Sequence, residues 1–394
     1  MKVLFLHQHF KTPYAGGAIR SYYLAQALVN AGIEVIVITG HNEKYKQENV
    51  DGIEVYYLNV SYSNSFGFLR RSFSFLRFIF KAVKQVAQFE HVDLCYAISV
   101  PLTVGIVAKQ IKKRYGVPYI FEVGDLWPDV PIQMGFVKNS FLKQRLYALE
   151  QEIYQSANSI VALSPSIKTA IEKKVANKKV CMIPNMADLD FFEKTNKDPL
   201  LELKYKVQGK FVVAYIGALG VANGLDYILE CANASRKTSL PVQFVICGQG
   251  AKKAALAKRI RQLELVNVTL LEFTNRKGVK DLFSISDAAF ISYQPVPILE
   301  TGSPNKFFDA LAAGKLCIIN FGGWIKEEIE AANCGFFVDP LQPADFVKKV
   351  KPFLSDRLLL ENYQFNARTL AAKKFSRHGL SRQYVELITG TIKN

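Results

Sequence analysis

Short, nearly uninterrupted apolar runs separated by stretches of helical period organise the first half of the chain. The runs fall at residues 3–6, 35–39, 55–59, 93–97, 118–123 and 159–163. Strands that are apolar on both faces are buried on both faces, which predicts a parallel sheet with helices packed on each side. The same grammar restarts after Asp198, with runs at 211–216, 242–247, 268–271, 288–292 and 316–320. Two doubly wound α/β domains in tandem is the economical reading. Their change-over is predicted near MIPNMADLDFFEKTNKDP, where an apolar strand gives way to polar, proline-bounded sequence. After Pro352 the pattern is helical to the end, and such a tail has no core of its own, so it is expected to pack back on one or both domains.

One helix of the first half departs from the amphipathic norm. It lies in FGFLRRSFSFLRFIFKAVKQVAQF, from Phe66, inside a stretch from Val55 to Phe89 that has no Asp or Glu. On a helical wheel Arg70, Arg77, Lys81 and Lys84 form one cationic stripe, while large apolar residues spread over about 220 degrees; a helix packed on a sheet needs only about 100 degrees. The surplus, with Phe73 and Phe80 beside Arg77 and Lys81, predicts a face that sits in a lipid interface. The alternative is a sheet-packing helix whose extra face is covered by a loop or by the C-terminal helix.

Composition narrows the partners. With 50 Lys plus Arg against 34 Asp plus Glu, the formal charge is +16, which implies an anionic partner: nucleic acid, a membrane face or a phosphorylated substrate. The six cysteines are scattered without a CxxC pair, as in a reduced cytoplasmic protein. No uncharged apolar run approaches transmembrane length, and MKVLFLHQHF is too short for a signal-peptide core, so neither export nor spanning is expected.

Candidate chemistry collects after the strands, where helix N-termini in parallel sheets present free N–H groups. The first strand is followed by His7, His9, Gly16, Gly17 and, one turn into a helix, Arg20. FVVAYIG is followed by Gly217, Gly220 and Asn223. Glycines here let a backbone approach a pyrophosphate closely, or simply make a tight turn. The GxGxxG fingerprint and its strand-end carboxylate are absent, which argues against a dehydrogenase. In YQPVPILETGSPNKFFDALAAGKLCIIN, Glu300, Thr301, Gly302 and Ser303 lead into a helix with Lys306 and Asp309 on one face. That pair suits a nucleotide sugar, Lys306 for phosphate and Asp309 for ribose hydroxyls; it would equally make a surface ion pair on a capped helix. Asp125, with Glu122 and Asp129 in the same segment, follows another strand and is a candidate to orient or deprotonate an acceptor. No HExxH or paired histidines at ligand spacing occur, so neither metal nor cofactor is expected.

The glycine loop with Arg20, FEVGDLWPDV, ALSPSI, IPNMADLDFF, GALGVANGLD and SPNKFFDALAAGK occur in an order and spacing that resembles the retaining glycosyltransferases of family 4. The likeness covers nearly the whole chain and is strongest to bacterial enzymes of O-antigen and capsule assembly, including N-acetyl-fucosamine transferases. The resemblance implies a GT-B fold with two Rossmann-like domains facing a cleft. Residues 1–190 would bind the acceptor and 191–375 the nucleotide sugar, with a helix at 376–394 returning to the first domain. It implies transfer of an N-acetylated sugar, from UDP in preference to GDP, to a polyprenyl-diphosphate-linked glycan. The enzyme would then be cytoplasmic and peripheral on an anionic membrane, in lipopolysaccharide or capsule synthesis, with no nucleic acid partner. The family's paired glutamates are replaced here: Asp309 takes the second place, Thr301 the first, and Glu300 stands one residue out of register. The loop from Ala218 to Asn223 lacks the usual Arg and Lys, leaving Lys306 and Arg20, and then Arg276 and Lys277, to meet the phosphates. Rival readings are a nucleotide-sugar epimerase of the same architecture and a non-catalytic binder of anionic lipid or nucleic acid.

Overall fold

The computed structural model describes residues 1–14, 19–63, 66–193 and 197–393. By contacts the chain divides into two compact units, one of Met1–Pro184 with Thr301–Ser303 and the C-terminal residues from His378, the other of Asn185–Glu300 and Pro304–Arg377.

The first unit is built on a sheet of β1 (Lys2–Leu6), β2 (Glu34–His41), β3 (Lys46–Val50), β4 (Ile53–Asn59), β5 (Leu94–Ile98), β6 (Tyr119–Val123), β7 (Ser159–Ala162) and β8 (Val180–Met182), in the order β3-β4-β2-β1-β5-β6-β7-β8. Every pairing is parallel except β3 with β4. The central strands are those with continuous apolar sequence, and β5, β6 and β7 are buried at every residue. Two strands were not predicted. KQENV of β3 is polar at its first four residues because it is an antiparallel edge whose side chains there face water. β8 is only three residues long, too short to show a period.

The second unit repeats the plan with β9 (Phe211–Ile216), β10 (Val242–Cys247), β11 (Val268–Leu271), β12 (Ala288–Ile291), β13 (Leu316–Ile319) and β14 (Gly335–Phe337), all parallel, in the order β11-β10-β9-β12-β13-β14. The strand after which the glycine loop comes, β9, therefore stands beside the strand that feeds the Lys306 helix. Residues just past Pro184 are held in this unit by one arginine and one isolated backbone bridge, outside the sheet. Arg368 donates to the carbonyls of Leu189 (3.0 Å) and Phe192, and Ala187 forms a parallel bridge with Ser376.

The strandless tail packs back as expected. The Arg377–Lys393 helix buries Tyr384 completely, with its ring 5.0 Å from that of Tyr96 and 6.4 Å from that of Phe5, so it completes the core of the first unit. Among the described residues no helix is long and apolar enough to cross a membrane.

Candidate active site

In the second unit the chain turns sharply after β9 and β10 together. A Cβ at Gly248 would overlap the Gly217 carbonyl oxygen, and one at Gly250 would crowd the backbone of Leu219. Only glycine lets these loops stack, and Gly217 N–H to Cys247 O (3.0 Å) and Leu219 N–H to Gln249 O (2.9 Å) hold them. The CGQG after β10 carried this signal in the sequence and was not singled out.

Lys306 rises from the first turn of the Asn305–Ala312 helix to the underside of that loop. Its Nζ donates to Tyr215 Oη (2.8 Å) and Asn223 Oδ1 (2.9 Å), lies 4.3 Å from the Tyr215 ring centre, and would be 3.7 Å from a Cβ at Gly217. Tyr215, unremarked in the sequence, is thereby the floor of the site. No carboxylate pairs with Lys306 among the described residues, and burial lowers its pKa to about 7. Gly217, Gly220, Asn223 and Lys306, scattered over 90 residues of sequence, thus form one group.

Asp309, one turn further on, is half-buried. Burial raises its pKa to about 7, with Arg276 opposing and Asp188 adding to the rise. The Arg276 guanidinium pairs with the buried Asp188 and stacks 4.0 Å over Phe191. Glu300 accepts from Gly322 N–H (3.2 Å), at the turn that starts the Trp324–Ala331 helix. The carboxylate thus supports a local turn at its offset register. Thr301, Gly302 and Ser303 group by contact with the first unit.

In the first unit, Gly16 and Gly17 lie outside the described residues. Arg20 is held inside the first unit. Its Nε and Nη2 donate to Glu122 (3.0 to 3.2 Å), and its remaining N–H groups meet the carbonyls of Ile183 and Pro184. Glu122, 1 % exposed, also accepts from Tyr96 Oη. Arg20 and Glu122 therefore form a buried, hydrogen-bonded pair that ties the Ile183–Pro184 backbone to the sheet. Arg20→Lys keeps the charge but loses the fork. It is expected to cost about 1–2 kcal/mol, seen as a lower Tm in calorimetry, and to leave nucleotide affinity unchanged.

Asp129 accepts from Tyr147 Oη (2.8 Å) and Lys174 Nζ (2.7 Å), in a network with buried Glu150. Asp125 behaves differently. It is exposed just beyond β6, has no partner among the described residues, and has its pKa raised by the protein crowded around it. His7 Nδ1 lies 2.8 Å from Ser21 Oγ, and His9 stacks on Tyr62 at 4.2 Å. Burial lowers their pKa values to about 3 and about 4, so both are neutral at pH 7.

The Phe68–Val86 helix divides its apolar arc in two. Phe75, Phe78, Ile79, Ala82 and Val86 face the sheet, while Leu69, Phe73, Leu76 and Phe80 form a solvent-facing stripe, with Phe73 66 % and Phe80 74 % exposed. Arg70, Arg77 and Lys84 are exposed as well, whereas Lys81 is tied to the Asn59 carbonyl (2.9 Å) and is half-buried.

Residues 15–186 match the family described as glycosyl transferase 4-like domain, and residues 202–370 the family described as glycosyl transferases group 1. The chain is thus a two-domain glycosyltransferase of GT-B fold. This sets aside the epimerase and the binder without chemistry. The Escherichia coli K12 protein named for colanic acid biosynthesis, glycosyl transferase WcaI, is 23 % identical over 287 residues, covering 71 % of this chain and 70 % of its own. In solved structures the fold is shared with sucrose-phosphate synthase of Thermosynechococcus elongatus (TM-score 0.80, 15 % identity, 100 % of this chain and 99 % of that one). It is also shared with Anabaena HepE in complex with UDP-glucose (TM-score 0.73, 18 % identity, 99 % and 100 %).

Proposed function

We propose that the enzyme transfers a sugar, with retention, from a UDP-sugar to a polyprenyl-diphosphate-linked glycan at the cytoplasmic face of the membrane, in surface polysaccharide assembly. The observation that carries the donor half is Lys306: a half-buried ammonium without a carboxylate, beneath a glycine turn at the carboxyl end of β9. Such a cation is destabilising until an anion arrives, and a nucleoside diphosphate supplies one. HepE, of the same fold, holds UDP-glucose, which supports uridine. An N-acetylated sugar is favoured by the resemblance to amino-sugar transferases.

Catalysis would then rest on positioning and electrostatics. Lys306 and the N–H groups of the glycine turn stabilise the departing diphosphate, and Asp309 accepts from the ribose hydroxyls. Asp125, unpartnered and with a raised pKa, orients the acceptor hydroxyl or takes its proton. The exposed stripe of Leu69, Phe73, Leu76 and Phe80, with Arg70, Arg77 and Lys84 alongside, would hold the first unit on an anionic leaflet.

The discriminating experiment is a competition among UDP, GDP, ADP and dTDP for the purified enzyme, followed by donor turnover with and without lipid-linked acceptor. UDP is expected to bind tightest, and donor to be consumed only when acceptor is present. Preference for GDP would refute the uridine assignment, and equal turnover without acceptor would refute the transfer.

A further inference from the structure

The core of the second unit needs less from Tyr215 than the residue supplies. Alternation along β9 puts Phe211, Val213 and Tyr215 on one face, in a cluster with Leu225, Ile228 and Phe290, and a phenylalanine at 215 would fill the same space. A buried hydroxyl is a cost unless it is hydrogen-bonded, and this one spends its bonds on the donor site. Its proton goes to the Ala218 carbonyl (2.7 Å), which leaves only lone pairs to face Lys306 Nζ at 2.8 Å. Tyr215 thus ties the glycine turn to the lysine beneath it.

A second ring completes the seat. Tyr293, just past β12, has its ring centre 5.6 Å from Lys306 Nζ, against 4.3 Å for Tyr215. Its backbone is fixed by Asn320, which accepts from the Tyr293 N–H (3.0 Å) and donates to the Tyr293 carbonyl (3.0 Å), and its ring lies 4.9 Å from that of Phe321. Asn223 Oδ1 is a further acceptor for Nζ, at 2.9 Å. Burial raises the Tyr215 pKa well above the ordinary tyrosine value, with Tyr293 adding to the rise, so this partner stays neutral at any working pH. The lysine's own helix contributes Asp309 one turn further on, whose carboxyl feels Arg276 and Asp188. A carboxylate in the seat would neutralise the ammonium and repel a phosphate, whereas lone pairs and π faces hold it and do neither.

We propose that Tyr215 is a positioning residue of the donor site: its hydroxyl, turned by Ala218, and its ring, opposite that of Tyr293, hold the Lys306 ammonium beneath the glycine turn without a counter-charge, which keeps that charge for the diphosphate. The role builds on Lys306 as the contact for the donor's phosphates. It gives Tyr215 no contact with the sugar and no part in proton transfer.

The test is UDP affinity by calorimetry between about pH 6.5 and 9, with carbon-13 NMR of the lysine Cε groups to follow Lys306 in the absence of nucleotide. The Lys306→Met spectrum identifies the signal. Tyr215→Phe keeps the ring that the core needs. It is expected to weaken UDP by about tenfold near pH 7.5 and to move the Lys306 titration down by about one unit, because the charged form loses an acceptor. Asn223→Asp puts a carboxylate in the seat and is expected to do the opposite to the lysine: its titration rises by about one unit or more and Tm rises, yet UDP binds about tenfold more weakly. Unaltered UDP affinity in Tyr215→Phe, or weaker binding with the Lys306 titration unmoved, would overturn the role and leave the hydroxyl as a bond of the core. A wild type that bound none of UDP, GDP, ADP and dTDP would overturn the donor reading instead, while a shifted Lys306 titration in Tyr215→Phe would still show that Tyr215 sets the state of the lysine.

Discussion

Lys306→Met is expected to lower kcat/KM by about 10²- to 10³-fold, the loss found when one preorganised donor to a developing anion is removed, while leaving the fold intact. Tm should rise at the same time, by about 2–4 °C, because a half-buried lysine without a carboxylate is a net cost to the folded state. The sign follows from its pKa, lowered by burial from 10.5 to about 7. The folded protein binds the proton less readily than the unfolded chain, so stability falls as pH drops from the unfolded value toward 7 and stays low below it. The gain from Met is therefore larger at pH 6 than at pH 10. Activity carries the same signature. Lys306 must be charged and Asp309 ionised, and both titrate near 7, so kcat/KM should be bell-shaped with its maximum near neutrality. Above pH 7 the lysine loses its charge; below pH 7 the carboxylate is protonated. Asp309→Asn should flatten the acid limb and leave the alkaline one. A Lys306→Met enzyme of normal activity would remove the phosphate assignment altogether.

The second large effect is expected at the membrane. Phe73→Ser and Phe80→Ser together with Arg77→Glu and Lys84→Glu should weaken binding to anionic vesicles by about 100-fold or more, since each reversed charge near such a surface is worth on the order of 1 kcal/mol or more. Tm should hardly move, because the two rings face solvent and Phe78 and Ile79 on the other face keep the sheet contact. Salt should weaken the wild type in the same direction. Undiminished sedimentation by the folded variant would mean that the exposed stripe serves something other than a lipid surface.

How much of this was legible in the sequence depends on the range of the interaction. The buried strands announced themselves because a strand covered on both faces must be apolar at consecutive positions, and β1, β5, β6, β9 and β10 are so covered. The polar edge β3 and the three-residue strands β8 and β14 did not, since an edge needs no apolar residue and three residues hold no period. The excess apolar arc of the Phe68–Val86 helix was likewise local arithmetic, and the structure leaves that excess exposed. The glycine turn and Lys306 were found by type and position after a strand.

What only the tertiary structure decided is which charge meets which. Arg20 was a fair candidate for phosphate until the sheet order brought it to Glu122, 102 residues away, where the pair is sealed from water and complete. Arg276 meets Asp188 in the same way, and Glu300 accepts from the Gly322 N–H. Among the described residues Lys306 has no such carboxylate partner, and nothing in SPNKFF distinguishes it from the others. A residue's type is written in the chain, but its desolvation and its counter-charge are set by segments far away in sequence. The same composition therefore yields an inert buried pair at one strand end and a cation awaiting an anion at another.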